Sequence, residues 1–223
     1  MFDNLIFTKN YYDKKYASGY GIQYPEGHII RIYEYFLKHE LGLLKGTKLF
    51  DFGCGNGVHS QYFYSKGYQV YGVDISSKAI ADCKKRMPKI ASHFKLIKPG
   101  EDVGKTFGMK FDVVLANQVL YYLSSEQIQE TLEQLHGMLY KGGYIVATMI
   151  AGKNHYYNLS KKIDGLTKVK IKGRLNEVFY LTFTKSEKDL LKEFSVFKPY
   201  FYGHYDFSTR EGSTLHYYFI GKK

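Results

Sequence analysis

Residues 48–60 read KLFDFGCGNGVHS, and the rest of the chain is organised around them. Leu49, Phe50 and Phe52 are the apolar end of a buried strand, and Gly53, Gly55 and Gly57 follow at alternate positions before a helical pattern opens at Val58. Without side chains in the way, such a turn brings backbone N–H groups at a helix N-terminus close to a ligand, and the amide dipoles favour a carboxylate or phosphate. Spacing then narrows the ligand. A dinucleotide fingerprint, GxGxxG, needs a glycine where Val58 stands, and a phosphate loop needs GK[ST], which is absent.

Acids at two strand tips fit instead. Asp51 lies two residues before the glycine run, and the next strand, 68–74 YQVYGVD, ends in Asp74, placed to accept two ribose hydroxyls. An acid followed by xGxGxG resembles the first motif of the class I S-adenosylmethionine (SAM) dependent methyltransferases. The resemblance covers residues 45–150 well and the ends loosely. It implies a SAM site built from Asp51, Gly53, Cys54, Gly55, Asp74 and Ile75, with S-adenosylhomocysteine (SAH) as product.

The chain alternates strand and helix five times. After 48–52 come a short helix at Val58–Ser65, the strand to Asp74, a Ser-capped helix over 76–87 stopped by Pro88, and a strand over 93–98. Phe111–Ala116 is a near-continuous apolar run, as a strand covered on both faces should be. A capping-box helix starts at Ser124 or Ser125 and closes at Gly142 and Gly143, and 144–150 is the fifth strand. This alternation predicts an α/β fold, a parallel sheet with helices on both faces and a ligand across the carboxyl ends of the strands. The resemblance completes it as a Rossmann-like, seven-stranded, mostly parallel sheet whose last strand is antiparallel, with 195–203 and 214–223 as the final pair and 185–194 as the helix before them.

A length of 223 residues and one core predict a single domain over 1–223, comprising an N-terminal flap and helix (1–44) and a substrate lid (151–184). Residues 1–24 read as an irregular aromatic flap, and 28–41 as a helix opened by Pro25. By resemblance, Tyr12, Asp13 and Tyr16 match an aromatic-acid-x-x-aromatic element whose second aromatic reaches the cofactor's methionine carboxylate. Tyr20, Tyr24, His28 and Arg31 of the flap and helix, with His204 near the end, are the candidate acceptor-binding residues. In the loop 99–103, PGEDV, the family's adenine site matches Asp102 and Val103, with Glu101 as a shifted alternative to Asp102. Asn117, leaving the fourth strand, completes the cofactor set.

Composition excludes several classes. Hydrophobic residues make up 44% of the chain, yet no apolar run approaches a membrane span, and the start lacks a basic segment followed by an apolar one. Two cysteines without a CxxC pattern disfavour a zinc site, a disulfide scaffold and the radical branch of SAM chemistry, so a cytoplasmic location is expected. A net charge of +11 keeps nucleic acid among the partners, although the Lys-, Ile-, Tyr- and Phe-rich composition equally reflects an AT-rich genome. Asn117-Gln118-Val119-Leu120 is not the [DNS]PP[YFW] of amino-methylating nucleic-acid enzymes, and Asn117 stands where a metal-dependent catechol-type enzyme would place an acid, so no metal is expected. A small-molecule acceptor is expected, on a monomer or homodimer.

The sulfonium methyl is already electrophilic, so a transferase must chiefly align the nucleophile and exclude water; hydroxyl acceptors usually need a base, ionised oxygens do not. Where the family often places a histidine, in LxHL, this chain has Leu120-Tyr121-Tyr122-Leu123. Tyr122 takes that place as an orienting group, and His155 is the first histidine candidate for a base, with His204 second. Seven basic residues between Lys153 and Arg174 face the single acid Asp164, which suits an anionic acceptor. The flap, helix and basic aromatic tail also look like small O-methyltransferases of bacterial surface-polysaccharide clusters, among them those acting in making methyl phosphoramidate for capsules. A phosphoramidate or phosphate oxygen, a sugar hydroxyl with His155 as base, and RNA remain the acceptors in play.

Overall fold

The computed structural model describes residues 3–163, 166–171 and 177–223. β1 (Lys48–Phe52) is central, and its side chains are buried on both sides because each face of the sheet is covered. β2 (Gln69–Asp74), β3 (Phe94–Leu96), β4 (Phe111–Ala116), β5 (Leu139–Ile150), β9 (Lys198–Tyr205) and β10 (His216–Lys222) complete a seven-stranded sheet ordered β3-β2-β1-β4-β5-β10-β9. β1 pairs parallel with β2 and β4, and β4 with β5; β10 runs antiparallel to both β5 and β9. The expected mostly parallel sheet with an antiparallel last strand is the observed one.

Alternation along the strands sorts the core into two layers. Leu49, Val70, Val113, Leu115, Val146 and Ile220 face α2 (Gly27–Arg31, continued by a π-helical stretch Ile32–Glu40), α3 (Val58–Ser65) and α4 (Ser77–Arg86), through Ile29, Leu37, Phe63, Ile80 and Cys83. Phe50, Phe52, Val114, Ala116, Ala147 and Phe219 face α5 (Ser125–Met138) and α7 (Glu187–Glu193), through Ile128, Leu132, Leu135 and Leu190. Ser124 and Gln127 close the expected capping box of α5.

Three segments differ from the sequence reading. Residues 1–24 are not an irregular flap: Asp3–Ala17 is a helix, α1, which ends where Gly19 takes φ +84 and Tyr20 N–H reaches the Lys15 carbonyl. Its inward face is Leu5, Thr8, Tyr12 and Tyr16, a helical spacing carried mostly by hydroxyl-bearing side chains, so an aliphatic stripe does not show it. Gly142 and Gly143 do not close α5. That helix ends at Met138, β5 begins at once at Leu139, and the glycines sit at a register shift between Phe111 and Val113 on the partner strand, as at a β-bulge. Within 151–184, α6 (His155–Asn158) leads into an antiparallel sheet of β6 (Ser160–Ile163), β7 (Leu166–Ile171) and β8 (Glu177–Leu181). Asp164, Lys172 and Arg174 of the expected lid lie outside the described residues. Among the described residues no helix is long and apolar enough to cross a membrane.

Candidate active site

The carboxyl ends of β1, β2 and β4 open into a cavity of about 390 Å³. Its floor is the Gly53–Gly55 turn, and here the sequence reading needs a correction. The turn's amides are engaged within the protein: Gly53 and Cys54 N–H donate to the Val73 carbonyl, Gly55 N–H to Asp74 Oδ2 and Gly57 N–H to the Cys54 carbonyl. These glycines therefore serve close approach rather than anion binding. A Cβ on Gly53, at φ +73, would stand 2.4 Å from Val119 Cγ2, and one on Gly55, at φ +53, 2.6 Å from the Tyr16 hydroxyl. The conformation and the space both require glycine.

Asp74, at the tip of β2, accepts from Gly55 N–H at 2.9 Å and from Ser76 N–H at 2.8 Å. Burial raises its pKa, and those two amides oppose the rise. A carboxylate offers about four lone-pair sites, so two remain for a diol. Asp51, 3% exposed and outside the cavity wall, accepts from Ser60 Oγ at 2.6 Å; burial, opposed by that bond and reinforced by the charge of Asp74, pushes it up to about 7.

At the β3 side, Ile75, Ile97 and Val103 give an apolar slot, with Glu101 on its rim. Asp102 is not on the wall; it caps Gly104 N–H at 3.0 Å and pairs with Lys105 at 3.2 Å. Glu101, the shifted alternative, is the acid that reaches the cavity. The roof is α1. Tyr16 stands over the turn, and Tyr12 shares a hydroxyl hydrogen bond with Tyr122, which also lines the cavity. Burial raises the Tyr16 and Tyr122 phenols above their ordinary value, so Tyr122 is a poor base. Tyr20, 48% exposed, forms part of the wall with Lys15 Nζ 4.3 Å from its ring centre.

At the β4 side Asn117, Gln118 and Val119 form the wall, joined by Asn56, His59 and Glu26. Glu26 accepts from Gln118 Nε2 at 2.9 Å and Asn117 Nδ2 at 3.2 Å, with His59 Nε2 at 3.5 Å. Burial pushes the His59 imidazole down to about 4, against the charge of Glu26 and with that of His28. His28 sits behind this wall, stacked on Tyr205 at 4.1 Å and 2.9 Å from Asn117 Oδ1. Burial lowers its pKa too.

The other candidates lie elsewhere. Tyr24 is 83% exposed, and Arg31 and His204 are exposed side chains off the wall. His155 is buried in a structural position, its Nδ1 3.0 Å from the Ser213 carbonyl and its Nε2 3.9 Å from Glu211. The described residues of 151–184 contribute nothing to the cavity wall. Their small sheet instead holds the roof: Glu177 pairs with Lys15 of α1 at 2.8 Å, and Thr182 bonds the Tyr121 and Leu123 carbonyls. Among the wall residues that sequence reasoning missed are Glu26, His59 and Gln118. An acid beside Pro25 reads as an ordinary helix start, and nothing in the sequence marks the left-handed φ of +54 at Gln118. Among the described residues, no group of three His, Cys, Asp or Glu side chains could hold a metal ion.

Residues 50–145 match a family model described as a methyltransferase domain. The chain is 31% identical over 113 residues to a ubiquinone biosynthesis O-methyltransferase of Nitrobacter winogradskyi, a match covering 49% of this chain and 41% of that one. It spans under half the length of the curated relatives it matches. A SAM-dependent methyltransferase of Methanosarcina mazei superposes with a TM-score of 0.66 at 20% identity, over 85% of this chain and 97% of that one. Magnesium protoporphyrin IX methyltransferase of Synechocystis PCC 6803, solved with SAH bound, gives 0.69 at 19% identity, over 99% and 100%. The fold is that of the class I SAM-dependent methyltransferases.

Proposed function

We propose that this chain transfers the methyl group of SAM to an oxygen of a small, uncharged acceptor such as a sugar hydroxyl. The observation that carries the cofactor assignment is Asp74: two backbone amides fix its carboxylate at the β2 tip, beside a glycine floor that a Cβ would fill and an apolar slot for a base. The donor set suits the cofactor. Asp74 takes the ribose diol, Ile75, Ile97 and Val103 face the adenine with Glu101 at its exocyclic amine, and the Tyr16 hydroxyl stands ready for the methionine carboxylate. SAM supplies a methyl group on a positively charged sulfur, which needs an aligned nucleophile more than an activated one.

The charge of the wall bears on the acceptor. Among the described residues, Glu26, Asp74, Glu101 and Glu130 line the cavity, with Lys98 as the one lysine. Asp74 and Glu101 are engaged by the cofactor, and the described lysines of the small sheet do not reach the cavity, so no basic cluster among the described residues is there to receive an anionic phosphate or phosphoramidate. This supports the hydroxyl reading over the capsule phosphoramidate one. Tyr12, Tyr20 and Tyr122 form an aromatic wall on which an uncharged ring can lie. α1 covers that wall, and Tyr122, held by Tyr12, orients the acceptor without acting as base; the proton that the hydroxyl loses on methylation passes to the neutral imidazole of His59 on the wall.

A methylation assay read by mass spectrometry tests this, with SAM and separate pools of nucleotide sugars, phosphorylated metabolites and total RNA. One methyl gained in the sugar pool is expected. A gain only in the phosphorylated pool or in RNA would overturn the acceptor, and no SAH binding by calorimetry would overturn the cofactor.

A further inference from the structure

We propose that Glu26 receives the α-ammonium of the cofactor's methionine, a role that rests on SAM binding in this cavity. The sheet order sets the direction. β2 and β4 flank β1 on opposite sides, and Asp74 is at the tip of β2 while Glu26 is bonded to two side chains at the exit of β4. Two strand spacings separate those tips by roughly 9–10 Å. A ligand lying over the Gly53–Gly55 turn with its ribose on Asp74 therefore brings its amino-acid end to Glu26.

The carboxylate is built for a cation. Glu26 is the N-cap residue of α2, yet its side chain makes no cap bond and turns into the cavity. Asn117 is aligned from behind, its Oδ1 contacted by His28 Nε2 at 2.9 Å and by Thr148 Oγ1 at 3.2 Å, so its amide N–H faces Glu26. Gln118 adopts its left-handed backbone with N–H donated to Thr148 Oγ1 at 2.7 Å and Nε2 aimed at Glu26. Such strain at a non-glycine residue costs on the order of 1–3 kcal/mol and persists where the surroundings hold it. The two amides each take one lone pair, one on each carboxylate oxygen, and the remaining lone pairs are left for a donor. Of the bases near it, His59 at 3.5 Å and His28 at 4.0 Å are kept neutral at pH 7 by burial, and Lys98 lies at the opposite, β3 end of the cavity.

Calorimetry with four probes tests this: SAM, SAH, the SAH analogue lacking only the amino group, and 5′-methylthioadenosine, which lacks the whole amino-acid end. Wild-type protein should bind SAH roughly ten- to a hundredfold more tightly than the deaminated analogue, the range of a charge-assisted hydrogen bond. Glu26→Gln should lose that same factor for SAH and bind methylthioadenosine within twofold of wild type. SAH affinity unchanged or tighter in Glu26→Gln overturns the proposal, as does a loss confined to SAM, which would place Glu26 at the sulfonium. The wild-type comparison of SAH with the deaminated analogue stands even if the variant does not fold, and equal affinities there would also overturn it. Absence of all binding to wild type would instead refute the cofactor reading.

Discussion

Replacing Asp74 by Asn changes two atoms and removes a specific capacity. The carboxylate accepts from Gly55 N–H and Ser76 N–H and retains two lone pairs for the ribose hydroxyls. Oδ1 accepts from Ser76 N–H and Oδ2 from Gly55 N–H, so in either orientation the amino group of an asparagine faces a backbone N–H, and one donor always meets another donor. A hydrogen bond to a charged group contributes about 1.5–3 kcal/mol, and losing one charged contact while mispairing a second sums to about 3 kcal/mol, or roughly a hundredfold in affinity. SAH titrated calorimetrically into the Asp74→Asn protein should show that loss while circular dichroism stays native. Asp102→Asn is the control. Asp102 lies off the cavity wall, so its affinity should stay within twofold of wild type. Binding by Asp74→Asn within threefold of wild type, or a comparable loss in Asp102→Asn, would refute the ribose assignment.

Gly55→Ala places a Cβ 2.6 Å from the Tyr16 hydroxyl at φ +53, so SAH affinity should fall at least tenfold and the melting temperature should drop; Tyr16→Phe in the same chain should recover part of the melting temperature, and no recovery would show that backbone strain alone is responsible. Asp51 has its folded pKa raised to about 7, chiefly by burial, above the unfolded value near 3.9. Between those values the folded state holds the extra proton, so this group's contribution is fully present below about pH 4 and is lost as pH rises through 7. The melting temperature of Asp51→Asn should accordingly depend less steeply on pH between 5 and 8 than that of wild type; parallel curves would remove Asp51 as the source.

Much of the sheet was readable because local patterns and tertiary demands agree. Phe111–Ala116 is apolar at successive positions because both its faces are covered, and Ser124 and Gln127 mark a helix start through bonds made within one turn. The misreadings share a cause. α1 turns hydroxyl-bearing aromatics toward the cavity in place of an aliphatic stripe, and the Thr167–Ile171 alternation of Lys with apolar residues is a strand signal that also reads as a basic loop. Gly142 and Gly143 offered the same signal for a helix cap and a bulge, and only the register of β4 against β5 separates them. At the site, Asp74, Gly53, Gly55 and Tyr16 were found from motif spacing, whereas His155 and His204 were chosen for residue type and lie off the wall.

The sequence alone determined the alternation of strand and helix and the place of the cofactor turn, since an acid, three alternate glycines and a second acid fix backbone conformations and a strand tip within one βαβ unit. Which residues form the far wall was decided only by the tertiary structure. Glu26 and Gln118 are separated by 92 residues along the chain and meet because α2 packs against the exit of β4. A contact of that kind depends on the packing of whole layers and leaves no period or spacing in the sequence around either residue.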